Sequence, residues 1–129
     1  MAEPTINIAL HDGPIPPTPP VRASGAGAVL RFDGVVRPTE AGRRLVALDY
    51  EAYEPMTTIE TTRLAREVAA EYGLARIDVT HSVGRVPVDQ CSFRLDVAAA
   101  HRAEAIAATD AFIRRLKAEV PLWKVAVFE

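Results

Sequence analysis

Apolar and polar residues alternate along "GAGAVLRFDGVVR" (25–37), with Ala28, Leu30, Phe32 and Val36 on one side and Arg31 and Asp33 on the other. Period-two alternation predicts a strand with one buried face, here weakened by Gly34. The same alternation runs through "LVALDYEAY" (45–53), where Val46, Leu48 and Tyr50 oppose Asp49 and Glu51. The two strands are expected to pair antiparallel across "PTEAGRR" (38–44), read as a turn or flexible loop. The period then changes. Leu64, Ala65, Val68, Ala69 and Tyr72 recur at helical spacing, with Thr57 and Glu60 at capping-box distance and Gly73 as a stop.

Alternation returns in "ARIDVTHSVG" (75–84), with Ile77, Val79 and Val83 inward. "RVPVDQ" (85–90) reads as a turn, and "CSFRLDVAA" (91–99) as a strand with Cys91, Phe93, Leu95 and Val97 inward. A second helix is predicted from near His101, with Ala105, Thr109, Phe112, Ile113 and Leu116 as its inner stripe. Pro121 disfavours helical geometry at Val120, so the helix ends by there and "LWKVAVF" forms a last strand. At the other end, "TINIAL" (5–10) suits a short first strand, and "GPIPPTPP" (13–20) a stiff extended connector. Residues 1–24 are thus an N-terminal strand and connector, and 25–129 the body of a single domain. The order β-β-β-α-β-β-α-β, without regular βαβ alternation, predicts an α+β fold with two main helices on a mostly antiparallel sheet.

Composition narrows the class. With 129 residues, 49% apolar and 25% charged, the chain is an ordinary globular domain. A formal net charge of −2 gives no electrostatic reason to expect nucleic acid or an anionic membrane as partner. One cysteine excludes an internal disulfide and a cysteine-based metal cage. No apolar run approaches the ~20 residues of a membrane span, and no signal-peptide pattern opens the chain, so a cytoplasmic protein is expected.

The candidate chemistry is cationic. Lys117 falls at the end of the second helix, where a cation also serves simply to oppose the macrodipole. Lys124 follows Trp123 in the last strand, where a lysine also serves to guard an edge. Pro121 turns the chain between them, so the two amines can converge, and neighbouring ammoniums favour a fraction of neutral amine for acid, base or nucleophile work. His101 and Arg102 sit at a strand-to-helix junction whose free N–H groups suit an anion. Arg37 closes "DGVVR" before a loop. Cys91, on an inward strand position, reads as a small hydrophobe, and His11, His81 and His101 lack metal-ligand spacing.

Taken together and in this order, "DGVVR", "LDYEAYEPM", "HSVGRVPVDQ", "AAAHRAEA" and "LKAEVPLWK" resemble the catalytic, large-subunit family of molybdopterin synthases, the MoaE family, over roughly residues 25–124. The joint presence of G-x-V-R, A-H-R and K-x-x-x-P-x-W-K carries the resemblance. It implies an α/β-hammerhead fold and a homodimer at the centre of a heterotetramer, with a small ubiquitin-like, MoaD-like sulfur-carrier subunit docked at each end. It implies transfer of sulfur from the carrier's C-terminal thiocarboxylate to cyclic pyranopterin monophosphate, forming the dithiolene of molybdopterin without metal or resident cofactor. By this resemblance Lys117 and Lys124 are the active-site lysines. It further implies that Arg37, His101 and Arg102 bind the substrate's phosphate and pterin across the two protomers, with backbone around Val35, Val36, Val125 and Ala126 completing the pocket. The family usually carries polar residues and a further tail after the W-K pair, whereas Val125, Ala126, Val127 and Phe128 are apolar. A second implied role is therefore a scaffold that binds the carrier without catalysis.

Overall fold

A computed structural model describes residues 3–129. The elements are β1 (Thr5–Asp12), β2 (Ala28–Val35), β3 (Thr39–Glu40), β4 (Arg43–Ala52), α1 (Met56–Tyr72), β5 (Arg76–Pro87), β6 (Cys91–Ala99), α2 (Arg102–Glu119) and β7 (Leu122–Phe128). The α+β class, the two helices and the mostly antiparallel sheet follow the pattern read from the chain. Among the described residues, the one parallel pair is β1 with β5.

Contrary to the expectation from their alternation, β2 and β4 do not pair. The sheet order is β2-β6-β5-β4-β3, with β1 added to β5 and β7 to β4. Alternation specifies which face of a strand is buried but not which strand lies beside it. Two local features divert the chain. The β2–β6 ladder shifts register between Gly34 and Val35. Residues 38–44 then form a β3–β4 hairpin rather than a free loop, with Glu40 opposite Arg43 and the two turn residues Ala41 and Gly42 at φ 52° and 76°. Positive φ at both central positions is the hairpin geometry that matches strand twist.

β5 joins two halves of the sheet. Its first part lies beside β1 and β6, and from Gly84 onward it lies beside β4. Gly84 has φ 81°, and a Cβ there would stand 3.0 Å from Asp12 Oδ1, so this bend needs glycine.

The main core fills the space between the helices and the β1-β5-β6-β2 half, around Leu64, Val68, Ile77, Leu95, Val97 and Phe112. A smaller cluster of Val36, Leu45, Leu48 and Val86, with Ala126 and Phe128 packed on it, supports the other half. Burial departs from simple alternation in places. A register shift between Leu45 and Ala47 leaves Val46 exposed while Leu45, Ala47 and Leu48 are buried. Phe32 and Trp123 are also largely exposed. β6 is buried on both faces: Cys91 is only half-buried, while Ser92, Arg94 and Asp96 are as covered as Phe93 and Leu95.

The second cover on β6 is the connector. Arg94 Nη1 donates to the Pro16 carbonyl at 2.7 Å and to Thr18 Oγ1 at 3.2 Å, and Arg31 donates to the carbonyls of Thr18 and Pro19 at 2.7 and 3.1 Å. Prolines offer no N–H, so a proline-rich segment is held through its carbonyls, and guanidinium groups supply the donors.

Capping at α1 also differs from the expected box. Thr57 is inside the helix and fully buried, whereas Glu54 accepts from the Thr58 N–H at 2.9 Å and from its hydroxyl at 2.6 Å. At the other end Gly73 closes the helix at φ 63° as expected. Among the described residues, no helix is long and apolar enough to cross a membrane.

Candidate functional site

A groove of about 700 Å³ opens where the C-terminus of α2 meets the ends of β2, β3 and β7. α2 runs to Glu119, Val120 leaves helical geometry at φ −98°, ψ 130°, and β7 starts at Leu122. This short turn brings Lys117 and Lys124 to the same groove, with Arg37, Val35 and Val36 lining it as well. Val36 is buried and its backbone is fixed by the 88–90 turn: its N–H donates to the Gln90 carbonyl at 3.0 Å, and its carbonyl accepts from Asp89 at 2.9 Å.

The remaining sequence candidates lie elsewhere in the single chain. His101 caps α2 at its far end, and Arg102 precedes Lys117 by fifteen residues, which is about 22 Å of helix. Val125 is 51% exposed and Ala126 packs on the smaller core, and neither lines the groove. Cys91 is also outside it; burial, then the Asp33 carboxylate, push its thiol above the usual range, which disfavours thiolate.

The apolar residues that flank Lys124 in sequence do not bury it. Its side chain is 52% exposed, and its Nζ lies 3.2 Å from Glu40 Oε1 on β3. The Glu40 carboxylate is thus its ion-pair partner. Lys117 is exposed at the last turn of α2. Asp33 also lines the groove, but both its oxygens are taken by Arg94, at 2.6 and 3.3 Å. Arg37, Lys117 and Lys124 therefore face only two carboxylates, both already paired, and the groove suits an anion.

The floor was missed by reading for cations. Lys124 is opposite Tyr50 across β7 and β4, and His81 is opposite Phe93 across β5 and β6. The Tyr50 and His81 rings meet edge-on at 5.1 Å, and those of His81 and Phe93 at 5.7 Å. The Tyr50 hydroxyl donates to Ser92 Oγ at 3.0 Å, and His81 Nδ1 pairs with the Ser82 carbonyl at 2.8 Å. Burial lowers the pKa of His81 against the smaller opposing effect of that backbone bond and so favours the neutral ring. The signal for this floor was present: His81 continues the parity of Ile77 and Val79, and Tyr50 that of Leu48. Glu40 carried no signal, because its partner is distant in sequence.

Fold and site together define an α+β domain with an anion-suited groove bearing two lysines. A family model described as MoaE protein matches residues 15–119, and the chain belongs to that family. Among curated relatives, the molybdopterin synthase catalytic subunit of Oryza sativa subsp. indica is 39% identical over 109 residues, covering 84% of this chain and 56% of the relative. That of Bacillus subtilis is 35% identical over 104 residues, covering 81% and 66%. The chain spans little more than half the length of the plant relative and of the human one, at 56% and 55%. Among solved structures, molybdopterin synthase from Staphylococcus aureus superposes with a TM-score of 0.77 at 26% identity, covering all of this chain and 93% of that one. A complex of subunits 1 and 2 of the molybdopterin-converting factor from Helicobacter pylori shares the fold, with a TM-score of 0.74 at 20% identity, covering 95% and 85%.

Proposed function

We propose that this chain is the catalytic subunit of a molybdopterin synthase. It takes sulfur from the C-terminal thiocarboxylate of a small ubiquitin-like carrier and places it on cyclic pyranopterin monophosphate to build the dithiolene. The observation that carries this reading is the Pro121 turn, which presents Lys117 and Lys124 to one groove beside Arg37. The thiocarboxylate sulfur first bonds to the pterin; water then adds to the carrier's terminal carbonyl, the C–S bond breaks, and the carrier leaves as a carboxylate. Lys117, held at a helix C-terminus, stabilises the oxyanion that water addition forms. Lys124 moves protons during sulfur addition and ring opening. Arg37 binds the substrate phosphate. No metal or resident cofactor takes part.

His101 and Arg102 enter this reading from a second copy of the chain. Their distance from Lys117 along one helix supports it. The functional unit is then a homodimer whose grooves each combine residues of both copies, with a carrier docked on each to give a heterotetramer.

The test is direct: the protein is mixed with thiocarboxylated carrier and cyclic pyranopterin monophosphate, and dithiolene product is measured. Product formation that depends on Lys117 supports the proposal. Carrier binding without product favours the scaffold role, for which the apolar run Val125–Phe128 is the motivating feature.

A further inference from the structure

The groove floor contains a polar atom that the proposed chemistry leaves unused. Lys124, Tyr50, His81 and Phe93 form a row across four strands, in the order β7, β4, β5, β6. Each polar end in that row but one has a protein partner. Lys124 pairs with Glu40 and Tyr50 with Ser92, and His81 Nδ1 faces the Ser82 carbonyl. A carbonyl can only accept, so Nδ1 carries the proton and donates. In a neutral imidazole the other nitrogen, Nε2, is then an acceptor. Among the described residues no buried side-chain nitrogen or oxygen lacks a partner, and Nε2 makes no hydrogen bond to protein. Nε2 is therefore open to solvent, and the space that His81 borders is the groove.

Two aromatic rings pack against the imidazole. Tyr50 meets it edge-on at 5.1 Å on one side, and Phe93 at 5.7 Å on the other. Phe93 is itself backed by Phe112, stacked at 6.4 Å. Gly34 lies opposite Phe93 across β2 and β6, and a Cβ there would be 3.3 Å from the Phe93 Cβ. The floor is thus a closely packed aromatic surface that includes one unpaired acceptor, His81 Nε2.

We propose that His81 is a ligand-recognition residue of the groove, whose Nε2 accepts a hydrogen bond from an N–H or O–H donor at the edge of a flat heterocyclic substrate. The proposal rests on the sulfur-transfer reading for the identity of that substrate, a reduced pterin rich in ring N–H donors. Three groove cations select the anionic end of such a molecule, while His81 fixes the orientation of its ring. Burial of the imidazole supports this role, because a protonated ring has no acceptor to offer.

Two measurements test it. The first follows the His81 ring nitrogens by 15N NMR, with and without cyclic pyranopterin monophosphate. The expected spectrum is a neutral ring protonated at Nδ1, with the Nε2 resonance moving when the pterin is added. The second measures binding of the same pterin to His81→Phe and His81→Gln by titration, with thermal melting alongside. His81→Phe keeps an aromatic ring between Tyr50 and Phe93 but has no acceptor, and it should bind about tenfold more weakly, the equivalent of one lost hydrogen bond. His81→Gln, with a carbonyl near the position of Nε2, should recover part of that loss. Dithiolene formation by the wild-type protein reports separately on the sulfur-transfer reading. If the wild type turns over while Nε2 does not respond and His81→Phe binds normally, the role of His81 is wrong and sulfur transfer stands. If Nε2 responds to the pterin but no product forms, His81 is supported and sulfur transfer fails. An Nε2-protonated ring in the free protein overturns the proposal by itself.

Discussion

The buried hydroxyl of Thr57, near the start of α1, donates a 2.6 Å hydrogen bond to the carbonyl of Pro121, in the turn between the two groove lysines. The same oxygen accepts from the Tyr53 N–H at 2.7 Å. One side chain thus ties the entry of α1 to the turn that sets the spacing of Lys117 and Lys124. Thr57→Val keeps the shape and deletes both bonds, leaving a buried carbonyl and a buried N–H less well satisfied, at a cost of about 1–3 kcal/mol. We expect a lower melting temperature together with a fall in kcat larger than any change in KM. Thr57→Ser should retain most of both. A Thr57→Val protein with normal kcat would show that the turn holds its geometry without this bond.

The two lysines should respond differently to arginine. Lys117→Arg keeps the positive charge at the helix end and should retain part of the sulfur-transfer activity, whereas Lys117→Ala should lose most of it. Lys124→Arg should fail about as badly as Lys124→Ala, because a guanidinium does not release its proton near neutral pH. Both side chains are exposed or half-exposed, and the Lys124–Glu40 pair, half-open to water, is worth at most about 1 kcal/mol. None of the four changes should unfold the protein. Single-turnover assays decide the matter: an active Lys124→Arg with a dead Lys117→Arg would reverse the division of labour.

The contrast between what the chain announced and what it concealed is physical. Helix stripes such as Leu64-Val68 and Phe112-Leu116 were legible because a 3.6 period is a local property. The Pro121 stop was legible because proline acts on its immediate neighbour. The neighbour of β2 was not, because strand pairing is a contact between residues far apart in sequence, and alternation is the same whichever partner is chosen. The same reason hid Glu40 from Lys124 and Arg94 from the proline-rich connector. The groove cations Arg37, Lys117 and Lys124 stood out as residue types in a spaced motif, while Tyr50 and His81 were camouflaged as members of alternating strands.

The Arg94–Asp33 pair should make the fold acid-sensitive. Burial by itself would raise the pKa of Asp33, but the hydrogen bond and charge of Arg94, helped by Cys91 and Arg31, outweigh it and hold the carboxyl below its ordinary 3.8. A depressed folded-state pKa means stability that is present above the unfolded value and lost as pH falls through the folded one. Wild-type stability should therefore decline below about pH 4. Asp33→Asn should be less stable than wild type at pH 7 and show a flatter profile between about pH 4 and 2. Arg94→Met, which removes the donors to Asp33 and Pro16, should cost roughly 2–3 kcal/mol at neutral pH. Chemical denaturation at several pH values checks both. An Asp33→Asn profile as steep as wild type would place the acid sensitivity on other carboxylates.

The sharpest test of the shared groove is complementation between copies. Lys117 and Arg102 stand on one helix, fifteen residues apart, a separation of about 22 Å at about 1.5 Å per residue. If each groove takes Lys117 from one copy and Arg102 from the other, Lys117→Ala and Arg102→Ala should each be nearly inactive as homodimers. In a mixed dimer, one groove receives both defects and the other receives neither. Co-purified mixed dimers, selected with two different tags, should then recover about half of the wild-type activity per dimer, since one groove of the two is intact. Were both residues to serve the same groove from a single chain, each groove of the mixed dimer would carry one defect and no activity would return. The rate of sulfur transfer by the mixed species, measured against each homodimeric variant, distinguishes the two arrangements. Melting temperatures close to wild type for both variants confirm that the loss is one of chemistry.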